Sequence, residues 1–274
     1  MALSSEMHTH VASDGLKLRY AVDDYSDPWR PPETLFLLHA AMGTSRRLYK
    51  WVPILSRRFR VVRPDMRGHG QTEIPGPGQI SVARLAKDIA ELADALGCKQ
   101  FHIAGSSAGA IVAMQVAMDY PERVKTLGDF ASTPGLKNTL IDAESWIAGI
   151  QKQGFLKFLE STIGDRLPKG ADEGFKRWFI DEAAKTNPEM FYEFVRMMKA
   201  CDLTDRLHEI RCPTLAVIPH PDPLGTREQY GVMKTKVRNC EYVEYDGLPH
   251  NITDSVPERC AEELKRFLLK HYPA

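Results

Sequence analysis

The chain has 274 residues, enough for one α/β domain with a sizeable core and an inserted subdomain. Its 36 Lys and Arg residues balance 36 Asp and Glu residues, so no global field draws nucleic acid or an anionic membrane. A content of 43% hydrophobic and 26% charged residues is that of a soluble globular protein, and no apolar run approaches membrane-spanning length.

Met1–Met7 holds no basic segment ahead of an apolar stretch, so a cytoplasmic protein is expected. Leu16–Val22 alternates in polarity as an early strand does, and Thr34–His39 is a continuous apolar run of the kind buried on both faces of a parallel sheet. Phe59–Pro64 and Phe101–Ala104 read as further central strands. Between them Val82, Leu85, Ile89, Leu92 and Leu96 form one helical face, with Ser81 as N-cap and Gly97 as stop. Strand, helix and strand in alternation predict right-handed crossovers and a mostly parallel sheet flanked by helices.

After Thr133-Pro134-Gly135 the pattern changes. From Leu136 to Arg206 only amphipathic helical segments follow, carrying Trp146, Phe155, Phe158, Trp178, Phe179, Phe191, Tyr192 and Phe194. Strands resume at Thr214–Ile218 and Glu241–Tyr245, and a closing helix spans Pro257–His271. The expected division is therefore an α/β core over residues 1–134 and 207–274 with a helical insertion over 135–206. Most of the insertion's aromatics are expected to form its own core. Cys98, Cys201, Cys212, Cys240 and Cys260 are scattered without a C-x-x-C pair, which argues against a disulfide framework or a zinc site and for small buried residues in a reducing compartment.

The stretch Phe101–Met114 breaks an apolar run at a glycine, presents a serine and reopens as a helix. In Gly105-Ser106-Ser107-Ala108-Gly109 the turn is tight enough to require small flanking residues, and it places Ser107 at the strand end facing a helix N-terminus. A serine hydroxyl needs a base to take its proton and a third group to hold that base. An elbow of this type sets the chain order Ser, Asp/Glu, His, with the later two beyond later strands. Asp222, in Pro219–Leu224, and His250, in Asp246–Asn251, meet that order, although each alone reads as an ordinary turn aspartate or surface histidine. His39–Thr44 follows a buried strand where two N–H donors would face a developing oxyanion, those of Ala41 and Ala108. In Arg63–Gly70 the charges are expected to brace the scaffold, with His69 structural.

With these pieces in this order, the chain resembles the α/β-hydrolase fold superfamily along nearly its whole length. The matching segments are Leu37–Thr44, Pro64–Gly70, Gly105–Gly109, Tyr120–Val124, Cys212–Leu215 leading to Asp222, and Pro249–Asn251. The resemblance implies Ser107 as nucleophile, Asp222 as orienting acid, His250 as general base, Ala41 and Ala108 as oxyanion donors, and the helical insertion as a cap over the site. Four departures stand out: Ala40 for the usual glycine after His39, Ser106 for a common histidine, Ala110 for a glycine, and Pro219-His220-Pro221 for a glycine-led turn. In some relatives the acid follows the preceding strand, which makes Asp129 a rival, but Val124–Phe130 places it inside the strand rather than beyond it.

The expected activity is hydrolysis of a small ester, lactone or activated amide through an acyl-enzyme; the similar relatives are enol-lactone and small carboxylic-ester hydrolases. Two alternatives remain open at this stage. One is a C–C bond hydrolase or cofactor-free dioxygenase using the His/Asp pair, and the other a small-molecule receptor with slow hydrolysis. Trp146, Trp178, Phe179, Phe191 and Met197 are candidate substrate contacts, while Arg177 and Arg196 read as surface residues with the option of meeting a substrate carboxylate. Ser106 is expected in the pocket wall. No cofactor, metal, nucleic acid or membrane partner is expected, only a small-molecule substrate, and the protein is expected to be a monomer or homodimer.

Overall fold

The structure is a computed structural model that describes residues 6–273. Met1–Ser5, read above for a leader, and the outermost residues of the two expected core segments lie outside the described residues. The strands are β1 (Met7–Val11), β2 (Lys17–Asp23), β3 (Glu33–Leu38), β4 (Phe59–Pro64), β5 (Phe101–Ser106), β6 (Val124–Phe130), β7 (Thr214–His220) and β8 (Cys240–Asp246). They form one sheet in the order β1-β2-β4-β3-β5-β6-β7-β8. The β1–β2 and β2–β4 pairs are antiparallel and every pair from β4–β3 to β7–β8 is parallel.

The helices before the change of pattern are α1 (Val52–Leu55), α2 (Val82–Ala95) and α3 (Ala108–Asp119). Between β6 and β7 lie α4 (Ala143–Gln153), α5 (Phe155–Ser161), α6 (Ile163–Arg166), α7 (Glu173–Ala183) and α8 (Pro188–Ala200), with no strand among the described residues of that stretch. The remaining helices are α9 (Arg227–Lys236), α10 (Ile252–Ser255) and α11 (Pro257–His271). Two 3-10 segments, Ser45–Trp51 and Thr204–Glu209, complete the set.

Successive side chains on a strand point to opposite faces, so the continuous apolar runs feed two separate core layers. Phe36 and Leu38 of β3 pack with Val62, Ile103 and the buried faces of α2 and α3, whereas Leu35 and Leu37 pack with Val61, Ala104 and the buried face of α11. The amphipathic pattern of α2 is realised: Val82, Leu85, Ile89 and Leu92 are buried, and the Ser81 hydroxyl caps the helix by accepting from the Arg84 N–H at 3.0 Å. The helices between β6 and β7 contribute Ile147, Ile150, Phe158, Leu159, Phe191 and Val195 to a third apolar cluster, which also takes in Met42 of the loop after β3. Phe194 departs from that pattern and joins the main core.

The loop after β4 is tied down by buried ions. Arg67 has a fully buried side chain and makes paired hydrogen bonds to Asp88 at 2.9 and 2.7 Å, with Asp14 at 2.7 Å on its other side. Asp65 accepts from the Ser45 and Gln71 N–H groups at 2.7 and 2.9 Å. The charges of Arg63–Gly70 therefore hold the loops beneath β3 and β4 in register, and the parallel strands carry their C-terminal ends to one edge. No helix among the described residues is long and apolar enough to cross a membrane.

Candidate active site

The end of β5 turns directly into α3 through Ser107, whose backbone stands at φ 51° and ψ −119°. A side chain in this region costs on the order of 1–3 kcal/mol and persists only where the surroundings impose it. Two close approaches impose it here. A Cβ on Gly105 would lie 2.3 Å from the Gly109 carbonyl carbon, and one on Gly109 would lie 2.5 Å from the His39 carbonyl oxygen. The Ser107 N–H donates to the Phe130 carbonyl at 2.8 Å, which fastens the turn to the end of β6.

His250 lies in the loop after β8, and its ring nitrogens face two partners. Nε2 is 2.9 Å from the Ser107 hydroxyl, and Nδ1 is 2.6 Å from Oδ2 of Asp222 in the loop after β7. Since the carboxylate only accepts, Nδ1 carries the proton and Nε2 presents a lone pair to the hydroxyl. The Asp222 carboxylate is fully engaged. Oδ2 also accepts from the Tyr230 hydroxyl of α9 at 2.5 Å, and Oδ1 accepts from the Leu224 N–H at 2.8 Å. Burial alone would raise the Asp222 carboxyl, but His250, Tyr230 and the Leu224 N–H outweigh it and hold the group below its ordinary range.

Asp129 takes no part in this chain of bonds. It sits within β6, opposite Gly105, fully buried and without a side-chain partner, with the Ser132 backbone as its one polar neighbour among the described residues. Burial pushes its carboxyl well above the ordinary carboxylate range.

The loop bearing His250 is anchored from several sides. Thr253 accepts the Trp51 indole N–H on its carbonyl at 3.1 Å, and Arg47 forms a bidentate pair with Asp254 at 2.8 and 2.6 Å. The Ser106 hydroxyl bonds Thr253 Oγ1 at 2.8 Å. Ser106, the last residue of β5, thus braces α10 from beneath the elbow, and the expectation that it forms part of the Ser107 pocket wall is corrected: its hydroxyl is spent on Thr253, away from that pocket.

Ala41 and Ala108 both line the pocket that holds Ser107 and His250. Ala108 is the first residue of α3, where N–H groups have no intrahelical acceptor. The alanine at position 40 is accommodated because the left-handed residue of this turn is Met42, at φ 55°. His39 supports the turn: its Nδ1 donates to the Ala40 carbonyl at 2.8 Å, and its Nε2 accepts the Met66 N–H at 2.9 Å. His69 packs 5.2 Å from the His39 ring and edge-on to Phe194 at 4.8 Å, a buried position in the scaffold.

Burial strips the imidazolium forms of water and moves His39 down to about 4 and, with His39 adding to the effect, His69 down to about 3. In the unfolded chain both titrate near 6.5. Between these values the unfolded state binds more protons, so unfolding free energy falls as pH drops from about 6.5 toward 4. The urea midpoint should therefore be lower at pH 5 than at pH 7, and His69→Phe should show a shallower fall than the wild type. An unchanged dependence in that variant would place the acid sensitivity elsewhere.

The pocket beside Ser107 encloses about 470 Å³, its open mouth included. Of the expected substrate contacts, Trp146 and Phe191 line it. Trp178, Phe179 and Met197 do not, and these expectations are corrected. Phe179 is buried beneath the Arg47 guanidinium, 4.1 Å from its ring centroid, and Trp178 packs edge-on to Tyr49 at 5.6 Å. Met197 is packed against the main core. Arg177 is exposed, and Arg196 is paired with Glu144 at 2.7 Å. Among the residues the sequence reading did not place at the site are Arg166 and Asn251 in the wall and Tyr230 behind Asp222. Among the described residues no cluster of three or more His, Cys, Asp or Glu side chains is placed to hold a metal ion.

The parallel sheet, the elbow after β5 and the loops after β7 and β8 define an α/β hydrolase fold. A family model describing that fold matches residues 33–128. The chain is 25% identical to a pimeloyl-[acyl-carrier protein] methyl ester esterase from Aeromonas hydrophila, over 85% of this chain and 94% of the relative. It is also 25% identical to a non-heme chloroperoxidase from Streptomyces lividans, covering 78% of this chain and 83% of the relative. The crystal structure of the enol-lactonase from Burkholderia xenovorans LB400 superposes with a TM-score of 0.86 at 20% identity, covering 95% of this chain and 99% of that one. The chain has the α/β-hydrolase fold.

Proposed function

We propose that the protein is a serine hydrolase that cleaves a small ester, lactone or activated amide through an acyl-enzyme. The observation that carries this reading is the single imidazole bridging the Ser107 hydroxyl at 2.9 Å and the Asp222 carboxylate at 2.6 Å. As Ser107 Oγ attacks the carbonyl carbon, its proton passes to His250 Nε2 and the imidazolium is held by Asp222. The carbonyl oxygen gains the negative charge and rests on the Ala41 and Ala108 N–H groups. Collapse expels the alkoxide or amine, which takes the proton from His250. Water then attacks the acyl-enzyme with His250 as base, releasing the acid and restoring Ser107.

Residues 135–206 serve as a cap over this site in the same reading, on a core of 1–134 and 207–274. The lining of the pocket by Trp146 and Phe191 supports a small, partly apolar substrate. The esterase among the relatives and the enol-lactonase among the similar structures support the reaction class. Its dispersed cysteines support the cytoplasm as its place of work.

Treatment with a fluorophosphonate during turnover of p-nitrophenyl acetate tests the proposal. Activity should fall in step with a single adduct, and peptide mass spectrometry should place that adduct on Ser107. Turnover that persists in fully labelled protein, or an adduct elsewhere, overturns it.

A further inference from the structure

One wall residue of the Ser107 pocket is out of keeping with its surroundings. Arg166, the last residue of α6, is only 9% exposed, yet its guanidinium makes no ion pair or side-chain hydrogen bond among the described residues. Its Nε is buried without a partner. A guanidinium carries five donors and a permanent charge, and leaving it buried and unshared is costly.

The groups around it do not supply the missing anion. Asp165, its chain neighbour, is exposed and acts on it only as a charge through space, without an ion pair or hydrogen bond. Asp254 is engaged bidentately by Arg47, and Asp222 by His250 and Tyr230. Trp146 lies 5.7 Å from the guanidinium and contributes a ring face, which attracts a cation without neutralising it. Asn251 donates its N–H to the Arg166 carbonyl at 3.2 Å, and its side-chain Oδ1 is also buried and unpartnered. That oxygen is a neutral acceptor and leaves the charge uncompensated. Burial and the nearby Arg47 move Arg166 down to about 10, so it remains a cation at pH 7.

The rest of the pocket is largely apolar, including Leu136, Ile141, Phe191 and Val195. The pocket thus holds a reactive end at Ser107 and His250 and one uncompensated cation in an otherwise greasy wall. A planar fork of N–H donors matches a carboxylate in geometry as well as charge.

We propose that this pocket selects a substrate bearing a free carboxylate, received by Arg166 while the scissile ester or lactone carbonyl meets Ser107. The inference deepens the serine-hydrolase reading and rests on it for the chemistry. The carboxylate is remote from the reacting bond, so its binding energy positions the carbonyl rather than activating it.

The test compares mono-p-nitrophenyl glutarate with p-nitrophenyl pentanoate, which share chain length and leaving group and differ in the terminal carboxylate. Wild-type kcat/KM should favour the glutarate at least about tenfold. Arg166→Met should reduce that preference by about tenfold to a hundredfold, and Arg166→Lys should restore part of it. Calorimetry of monomethyl glutarate with Ser107→Ala supplies a readout that needs no turnover. Its affinity should weaken about tenfold or more when Arg166→Met is added.

A wild-type preference for the pentanoate, or a ratio unmoved in both Arg166 variants, overturns the proposal while leaving the hydrolase reading intact. Absence of turnover with both esters bears on the hydrolase reading alone, and the calorimetric comparison then decides on Arg166. If Arg166→Met does not fold, the wild-type ratio and the Arg166→Lys variant decide.

Discussion

Ser107→Ala is expected to lower kcat/KM for a p-nitrophenyl ester by about 10,000-fold or more while the protein remains folded. The substitution removes only the hydroxyl that stands 2.9 Å from His250 Nε2. Alanine keeps the same Cβ at φ 51°, so the strained turn and the approaches of Gly105 and Gly109 are unchanged. The lost hydrogen bond is worth about 1 kcal/mol of stability, and a thermal melt should move little. Ser106→Ala provides the contrast. Its hydroxyl is bonded to Thr253 below the elbow, so it should cost stability of similar size and leave activity within about tenfold. Assaying both variants with the same ester separates the two neighbouring serines. Substantial turnover by Ser107→Ala would show that no acyl-serine forms and would favour chemistry run by the His/Asp pair alone.

Legibility in the sequence followed the strength of local signals. Strand β3 is legible as an unbroken apolar run and β5 as a short apolar stretch ending at the elbow glycine, and α11 matches the closing helix expected over Pro257–His271. The edge strand β1 was missed because Met7-His8-Thr9-His10-Val11 is mostly polar and largely exposed; pairing with β2 makes it a strand. Helix α9 was missed for a related reason, since Tyr230 and Met233 are its only buried side chains. The candidate site was legible because fold topology constrains it. Parallel strands deliver the loops after β5, β7 and β8 to one edge, so chain order alone brings Ser107, Asp222 and His250 within reach. The pocket wall has no such rule. Aromatic character did not reveal that Phe179 would lie under Arg47 or Trp178 against Tyr49. Nor does any local pattern mark Arg166, whose burial arises from tertiary packing.

Asp222→Asn is expected to reduce kcat by about 10,000-fold with little change in the fold, and the reason lies in the Leu224 N–H. Asparagine is nearly isosteric with aspartate but has one acceptor oxygen and one donor nitrogen. The Leu224 N–H, 2.8 Å from Oδ1, requires an acceptor on that side. The amide nitrogen is thereby turned toward His250, where Oδ2 now sits 2.6 Å from Nδ1. An amide donor facing Nδ1 forces the proton onto Nε2, the nitrogen that must accept from Ser107, and the base is lost through its tautomer rather than its position. The alternative flip would set the amide nitrogen against the fixed Leu224 N–H, two donors with no acceptor between them, whereas the Tyr230 hydroxyl is a rotor that can turn to accept from the amide. Tyr230→Phe removes one donor to Oδ2 while Asp222 keeps its charge and its bond to His250, so about a tenfold loss in kcat is expected there. Steady-state kinetics of the two variants should therefore differ by about a thousandfold. Equal losses would mean that the carboxylate acts through packing with Tyr230 rather than by setting the tautomer of His250.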